Sequence, residues 1–358
     1  MTNPFGAAIT PITPTPTPAA TAGQFGQIYC TVNDLLNDPE PPAGGVELLY
    51  QQIQAASQTI LQEIGGFIPI TETCLFNGKG RDNLLIPPML ALISLVNDDD
   101  TIADTDYILQ PDNRHWPNGP YSSIEVDPEA TELSVFFDEK ASVAVTGRWG
   151  LYEETADTGA ELAAQQTDSA VSLQVNDGSK LSPGAVLSIG SEQELISGYD
   201  TPVTGITTLN GTIDAVQETI ILTSGAAATI GEIIRIGVEQ MRILDISANT
   251  LYVQRHWNKT LGAAHTSAAA VDVYRKFVVA RAVNGTTVAA HGSGAAISRY
   301  LVPADVLFLC KEIATLMLHK AETGYAGKSG NADLGTVYYN DAFPRYDLER
   351  IRDHYRIK

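Results

Sequence analysis

Cysteine is scarce in this 358-residue chain and forms no pattern: Cys30, Cys74 and Cys310 are far apart, odd in number and without a C-x-x-C pair. Neither a disulfide framework nor a cysteine zinc site is indicated, and buried free thiols are the simple reading. Basic side chains are also few, 22 Lys and Arg against 42 Asp and Glu, for a formal charge of −20. That balance argues against a surface that grips nucleic acid by neutralising phosphates, while transit of DNA without binding stays allowed. There is no membrane-length apolar run, and Met1 to Ala20 have no basic n-region or apolar core of a secretory signal. The expectation is a soluble protein made in a cytoplasm, with no membrane partner. Apolar residues, at 44%, suffice for real cores, and charged ones, at 18%, are too few for a mainly disordered chain. The length suggests two or three folded units.

From Pro11 to Pro18 proline and threonine nearly alternate, which favours extended backbone and predicts a flexible arm over residues 1–25. A short helix is expected after Thr31 or Asn33 as N-cap, ending before Pro39, Pro41 and Pro42. Leu49, Ile53, Ala56, Ile60 and Ile64 recur at helical steps, and Gly65-Gly66 supplies a stop. Short apolar runs then follow: Leu84 to Ile86, Leu90 to Val96, Tyr107 to Leu109, Leu133 to Phe137 and Ser142 to Val145. Broken by Pro, Gly, Asn and Asp, they read as strands. Asp98-Asp99-Asp100 reads as a solvated loop, since the ligand alternation of a calcium loop is missing. Helix returns at Pro303, through Val306, Leu309, Ile313, Leu316 and Met317 to Gly324, and once more from Tyr346 to Tyr355.

The middle of the chain repeats itself. Gly184-Ala-Val-Leu-Ser-Ile-Gly-Ser-Glu-Gln193 matches Gly231-Glu-Ile-Ile-Arg-Ile-Gly-Val-Glu-Gln240 at an offset of 47 residues. Val253-Gln-Arg-His-Trp-Asn-Lys-Thr with Ala263-Ala-His265 matches Val279-Ala-Arg-Ala-Val-Asn-Gly-Thr with Ala289-Ala-His291 at an offset of 26. Alternating Val/Ile and polar residues mark half-buried strands. Two small β-barrel-like modules are expected, 160–215 and 216–300, with an uneven duplication, because the first copy keeps only Asn210-Gly-Thr212 of the second element. A duplicated module enlarges a surface, whereas catalysis needs one asymmetric constellation.

Candidate chemistry is thin. Glu322 to Ser329 ends like a phosphate-binding loop, but Glu322 replaces the first glycine and the segment follows a helix instead of opening one. His256, His265 and His291 share the repeat region without a carboxylate at fixed spacing, and read as turn histidines. No nucleophile elbow or zincin helix occurs. No enzyme activity, metal or cofactor is expected.

The helix from Val46 ending in Gly-Gly-Phe, the strand Val143-Ala-Val-Thr-Gly-Arg-Trp-Gly150, and the helix from Pro303 with Gly324-Tyr-Ala-Gly together resemble the head-tail connector (adaptor) proteins of tailed phages. In that family the Gly-x-x-Gly strand runs almost directly into the second helix; here about 150 residues intervene. The resemblance covers 30–155 and 301–358. It implies an α+β fold: a small helical adaptor core with β-hairpins (26–155 and 301–337), interrupted by an inserted all-β, barrel- or sandwich-like repeat domain. It also implies a ring of about twelve copies in the virion neck, bound to the portal protein and to the tail or next neck protein. The C-terminal segment 338–358 would face the portal, through Tyr338, Tyr339, Phe343, Arg345, Tyr346, Arg350, Arg352, Tyr355 and Arg356. Aromatic and Arg anchors of this kind dominate interface energetics. An acidic channel wall would let DNA pass without trapping it. The alternative is another neck or tail protein that docks fibres or completes the tail through the β-modules.

Overall fold

The computed structural model describes residues 26–38, 44–111, 120–322, 328–331, 335–338 and 344–355. The expected arm, 1–25, lies outside them. Four helices are described: α1 (Val32–Leu36), α2 (Val46–Glu63), α3 (Ala304–Glu322) and α4 (Arg345–Tyr355). Thr31 caps α1 in a reciprocal box with Asp34, satisfying two backbone donors that the first turn leaves open. α2 buries Leu49, Ile53, Ala56 and Ile60 against Val306, Leu309, Ile313 and Ala314 of α3, and Leu348 and Ile351 of α4 join the same core. Full burial of such side chains stabilises by roughly 1.5–3 kcal/mol each. Among the described residues, no helix is long and apolar enough to cross a membrane.

The expected fold class needs correction, because most of the chain is β. Three six-stranded antiparallel sheets account for nearly all of 70–300. The first lies within the region read as helical core with hairpins. It contains β1 (Ile70–Phe76), β2 (Asn83–Asn97), β3 (Asp100–Thr101), β4 (Tyr107–Gln110), β5 (Tyr121–Val126) and β6 (Val143–Trp149), ordered β1-β6-β2-β5-β4 with β3 on β2. Long β2 joins two runs read as separate strands; it continues through Pro87-Pro88 by a register shift between Leu85 and Met89. Ser-rich β5 has little apolar signal, and the Leu133 to Phe137 run makes only a single bridge, Arg81 to Phe136. The chain turns at Asp98 with positive φ between β2 and β3.

The other two sheets are copies. One contains β7 (Thr155–Glu161), β8 (Ser172–Gln174), β9 (Val186–Ile189), β10 (Glu192–Tyr199), β17 (Lys276–Ala280) and β18 (Ala296–Tyr300), in the order β7-β18-β9-β10-β17-β8. The other contains β11 (Val203–Thr208), β12 (Thr219–Ile221), β13 (Ile233–Ile236), β14 (Glu239–Ser247), β15 (Thr250–Gln254) and β16 (Ala270–Val273), in the order β11-β16-β13-β14-β15-β12. The offset of 47 maps β7–β10 onto β11–β14, and the offset of 26 maps β15 and β16 onto β17 and β18. The third sheet is therefore nested in the second, in place of the β10–β17 turn. The sheets divide the region at 200–203 and 273–276, not at 215–216, and the duplication is even: each copy holds both elements once.

Gly178 and Gly225 show how closely the copies agree. A Cβ at Gly178 would lie 2.1 Å from the Tyr274 carbonyl oxygen, and one at Gly225 would lie 2.0 Å from that of Ala248. Both positions exclude any side chain. Each copy has its own core, around Leu173, Leu187, Ile196 and Phe277 in the outer one and Ile220, Ile234, Met241 and Val271 in the nested one. The outer copy is fastened to the body, since Val186, Leu195, Ala280 and Val283 belong to the helical core. A hairpin of β19 (Lys328–Asn331) and β20 (Gly335–Tyr338) precedes α4.

Candidate functional site

The residues shared by the two sequence matches assemble into one arrangement, built twice. In the nested copy the β13–β14 hairpin places Glu239 in the interior, and Arg255, at the end of β15, grips it as a fork: Nε to Oε1 at 2.6 Å and Nη2 to Oε2 at 2.7 Å. Nη1 donates to the carbonyls of Asp214 and Gln217, and Nη2 also to that of Ala263. All five guanidinium N–H groups are thereby used. The His265 Nε2 and the Ala263 N–H complete Glu239 Oε2, at 2.9 and 3.0 Å. In the outer copy Arg281 holds Glu192 at 2.8 and 2.7 Å and donates to the carbonyls of Thr167, Ala170 and Ala289. His291 Nε2 lies 2.9 Å from Glu192 Oε2.

This corrects the reading of His265 and His291 as turn histidines without a carboxylate. The partner was hidden by the nesting: Glu and His are 26 residues apart in the nested copy and 99 in the outer one. The signal was present in the Glu, Arg and His that both matches retain. His256 stays at a turn, exposed, with positive φ, its Nδ1 accepting the Gly262 N–H. Burial alone would raise the Glu239 carboxyl, but Arg255, His265 and the Ala263 N–H outweigh it and hold it at about 2.

Beside the buried clamp the copies differ at one pair of buried positions. Where the nested copy has Met241 and Ile213, the outer one has Glu194 and Gln166, both buried. Gln166 Nε2 donates to Glu194 Oε2 at 3.0 Å, while Gln166 Oε1 accepts no hydrogen bond. Glu192, Glu194 and His291 offer ligand atoms within 4.8 Å of one another. They do not fit a cation: Arg281 stands 2.9 Å from Glu194, and the Glu192 oxygens already accept from Arg281, His291 and the N–H groups of Ala282 and Ala289. Burial, with Glu192 nearby, pushes the Glu194 carboxyl up to about 7, against the partial relief given by Gln166 and Arg281.

A raised carboxyl favours folding while it is protonated. The Glu194 contribution is therefore complete below about pH 4.5 and is lost as pH rises through about 7. Installing the nested copy's pair, Glu194→Met with Gln166→Ile, should remove that slope. We expect the variant to gain stability over the parent between pH 5 and 8, by up to roughly 3 kcal/mol at pH 8. Urea titrations at the two pH values measure it; a gain equal at both would exclude Glu194 as the source.

Of the residues expected to face a portal, Arg345, Tyr346, Arg350 and Arg352 are exposed on α4, Tyr346 at 77%. Arg350 lies near Asp347 and Arg352 near Glu63 of α2, at 3.5 and 3.8 Å. Tyr355 is half-buried instead, packing edge-on against Phe67 and donating to Asp305. Tyr338 ends β20, and Tyr339, Phe343 and Arg356 lie outside the described residues. Comparisons with family models, with curated proteins and with solved structures yield no match.

The two Arg-Glu-His clusters are thus saturated clamps. Each ties three loops of one sheet end together: 214–217, 237–239 and 261–265 in the nested copy, and their equivalents in the outer one. In both, the central carboxylate, Glu239 or Glu192, has its two oxygens occupied by the Arg, the His and backbone N–H groups.

Proposed function

We propose that this chain is a non-enzymatic structural subunit of a tailed-phage particle, a head-to-tail adaptor that forms a ring of about twelve copies between portal and tail. The observation that carries this reading is the meeting of the two segments that bear the resemblance. Residues 28–68 and 306–351 share one core although the duplicated sheets separate them in the chain. β7 and β18, at the two ends of the duplicated region, pair directly, so that region leaves and re-enters at one place. The buried clamps support a structural role as well, since their charged groups are spent on holding loops. On this reading α4 presents Arg345, Tyr346, Arg350 and Arg352 to the portal, and the net charge of −20 suits a channel wall that DNA slides past.

Electron microscopy of the purified chain, alone and with portal, should show a ring around a central hole. Truncation before Tyr338 should abolish portal docking while leaving the three sheets folded. Normal docking by the truncated chain would overturn the assignment of α4. A second reading, a neck or tail protein that docks fibres, draws on the exposed end of the nested copy. Removing the nested copy separates the two: loss of fibres with intact head-tail joining favours docking, and loss of joining favours the adaptor.

A further inference from the structure

The two copies serve as controls for each other, and their clamped ends differ on the outside. The loops that the nested clamp gathers carry Val216, Val238 and Leu261, which are 75%, 83% and 84% exposed. These are among the most exposed large apolar side chains described. At the equivalent positions the outer copy has Ser169, Ser191 and Thr287, also exposed. The fold accepts polar residues at all three places, so the apolar set is not demanded by the architecture. Three such side chains gathered at one end mark a contact surface.

Its occupant is indicated by how the N-terminal chain runs. Asn284 of the outer copy and Asn258 of the nested copy are equivalent residues, both with positive φ. Asn284 Oδ1 accepts the Gly26 N–H at 2.7 Å, and Asn258 Oδ1 accepts the Val46 N–H at 2.8 Å. The described chain thus begins on one clamped copy and, twenty residues later, touches the other three residues from Leu261. Residues 1–25, up to about 80 Å long when extended, are ample to cover that interval. They contain no charged side chain and carry Phe5, Ile9 and Ile12 among prolines. An uncharged, proline-rich, apolar-spotted segment suits an apolar surface in a protein of charge −20. Four residues before Leu261, the Trp257 indole N–H is the one buried side-chain donor among the described residues without an acceptor, and its counterpart in the outer copy is Val283. Proline-rich segments bind by laying carbonyl oxygens against such donors and apolar side chains between them.

We propose that the chain's own N-terminal segment, residues 1–25, docks on the Val216, Val238 and Leu261 end of the nested copy. The test places a benzophenone amino acid at Phe5 of the full-length chain, at a concentration where it is monomeric, and maps the photo-crosslinks by mass spectrometry. Crosslinks should fall within 214–217, 237–239 and 257–263. Installing the outer copy's residues, Val216→Ser, Val238→Ser and Leu261→Thr, should lower their yield about tenfold or more, as the apolar contact area is lost. Because the outer copy folds with those residues, loss of structure is not expected, and circular dichroism with a urea melt checks it. Crosslinks that land elsewhere, form only between copies, or keep their yield in the triple variant would overturn the proposal.

Discussion

Arg255→Met is expected to be the most damaging single substitution in the nested copy, costing about 3–5 kcal/mol. The reason is the accounting of its five N–H groups. Two neutralise a fully buried carboxylate, and three satisfy carbonyl oxygens on two loops, Asp214 and Gln217 on one and Ala263 on the other. Removing the guanidinium leaves Glu239 as a buried charge facing only His265 and one N–H, and unties 214–217 from 263. Lysine is no remedy, since a point charge with three donors cannot replace a planar fork. Arg255→Lys should therefore lose most of the same stability. Changing Glu239 and Arg255 together to apolar residues should recover much of it, because the cost lies in the unpaired charge more than in the pair. The clamp also predicts acid sensitivity of opposite sign to Glu194. With its carboxyl held at about 2, Glu239 contributes stability that is complete above about pH 4.5 and lost as pH falls through about 2. Urea unfolding of the three variants at neutral pH is the measurement. A loss below about 1 kcal/mol for Arg255→Met would mean that the clamp is not what holds these loops.

The second large effect concerns a deletion that should do little harm. Excising 201–275 and joining Asp200 to Lys276 through Ala-Asn restores to the outer copy the turn that the nested copy uses itself, Ala248-Asn249 between β14 and β15. The added asparagine falls where Asn249 accepts the Gly225 N–H at 2.9 Å. In the intact protein the equivalent Gly178 N–H is held by Glu232 of the nested copy, at 3.0 Å, so the replacement takes over that bond. Lost are the Asn258 cap on α2, the Arg242 bond to Asn37 and the edge-on contact of Tyr274 with Tyr199, together about 2–4 kcal/mol. The shortened chain should remain soluble and unfold cooperatively. The excised stretch has a separate core and should fold alone, near the lower limit of size for an independent domain. An aggregated product, or one without cooperative unfolding, would show that the copies fold as one unit.

Much of the helical layer was legible in the sequence. Leu49, Ile53, Ala56 and Ile60 announce the buried face of α2, Val306, Leu309 and Ile313 that of α3, and Thr31 its capping role, because helix periodicity and capping are properties of near neighbours. The first sheet was less legible. Its strands are interrupted by prolines and register shifts, and β5 has too few apolar residues to alternate. Of the C-terminal residues proposed for docking, Tyr346, Arg350, Arg352 and Tyr355 were visible as a charged helix, although Tyr355 turns inward against Phe67.

By itself the sequence determined that a module is duplicated and which residues the copies share, including the Glu, the Arg and the His, since identity at a fixed offset needs no coordinates. Only the tertiary structure decided that one copy interrupts the other and that those three residues meet. The physical reason is that strand pairing joins segments by hydrogen bonds across any length of intervening chain. Glu192 finds Arg281 and His291 across the whole nested copy, while Glu239 finds Arg255 and His265 within a few strands.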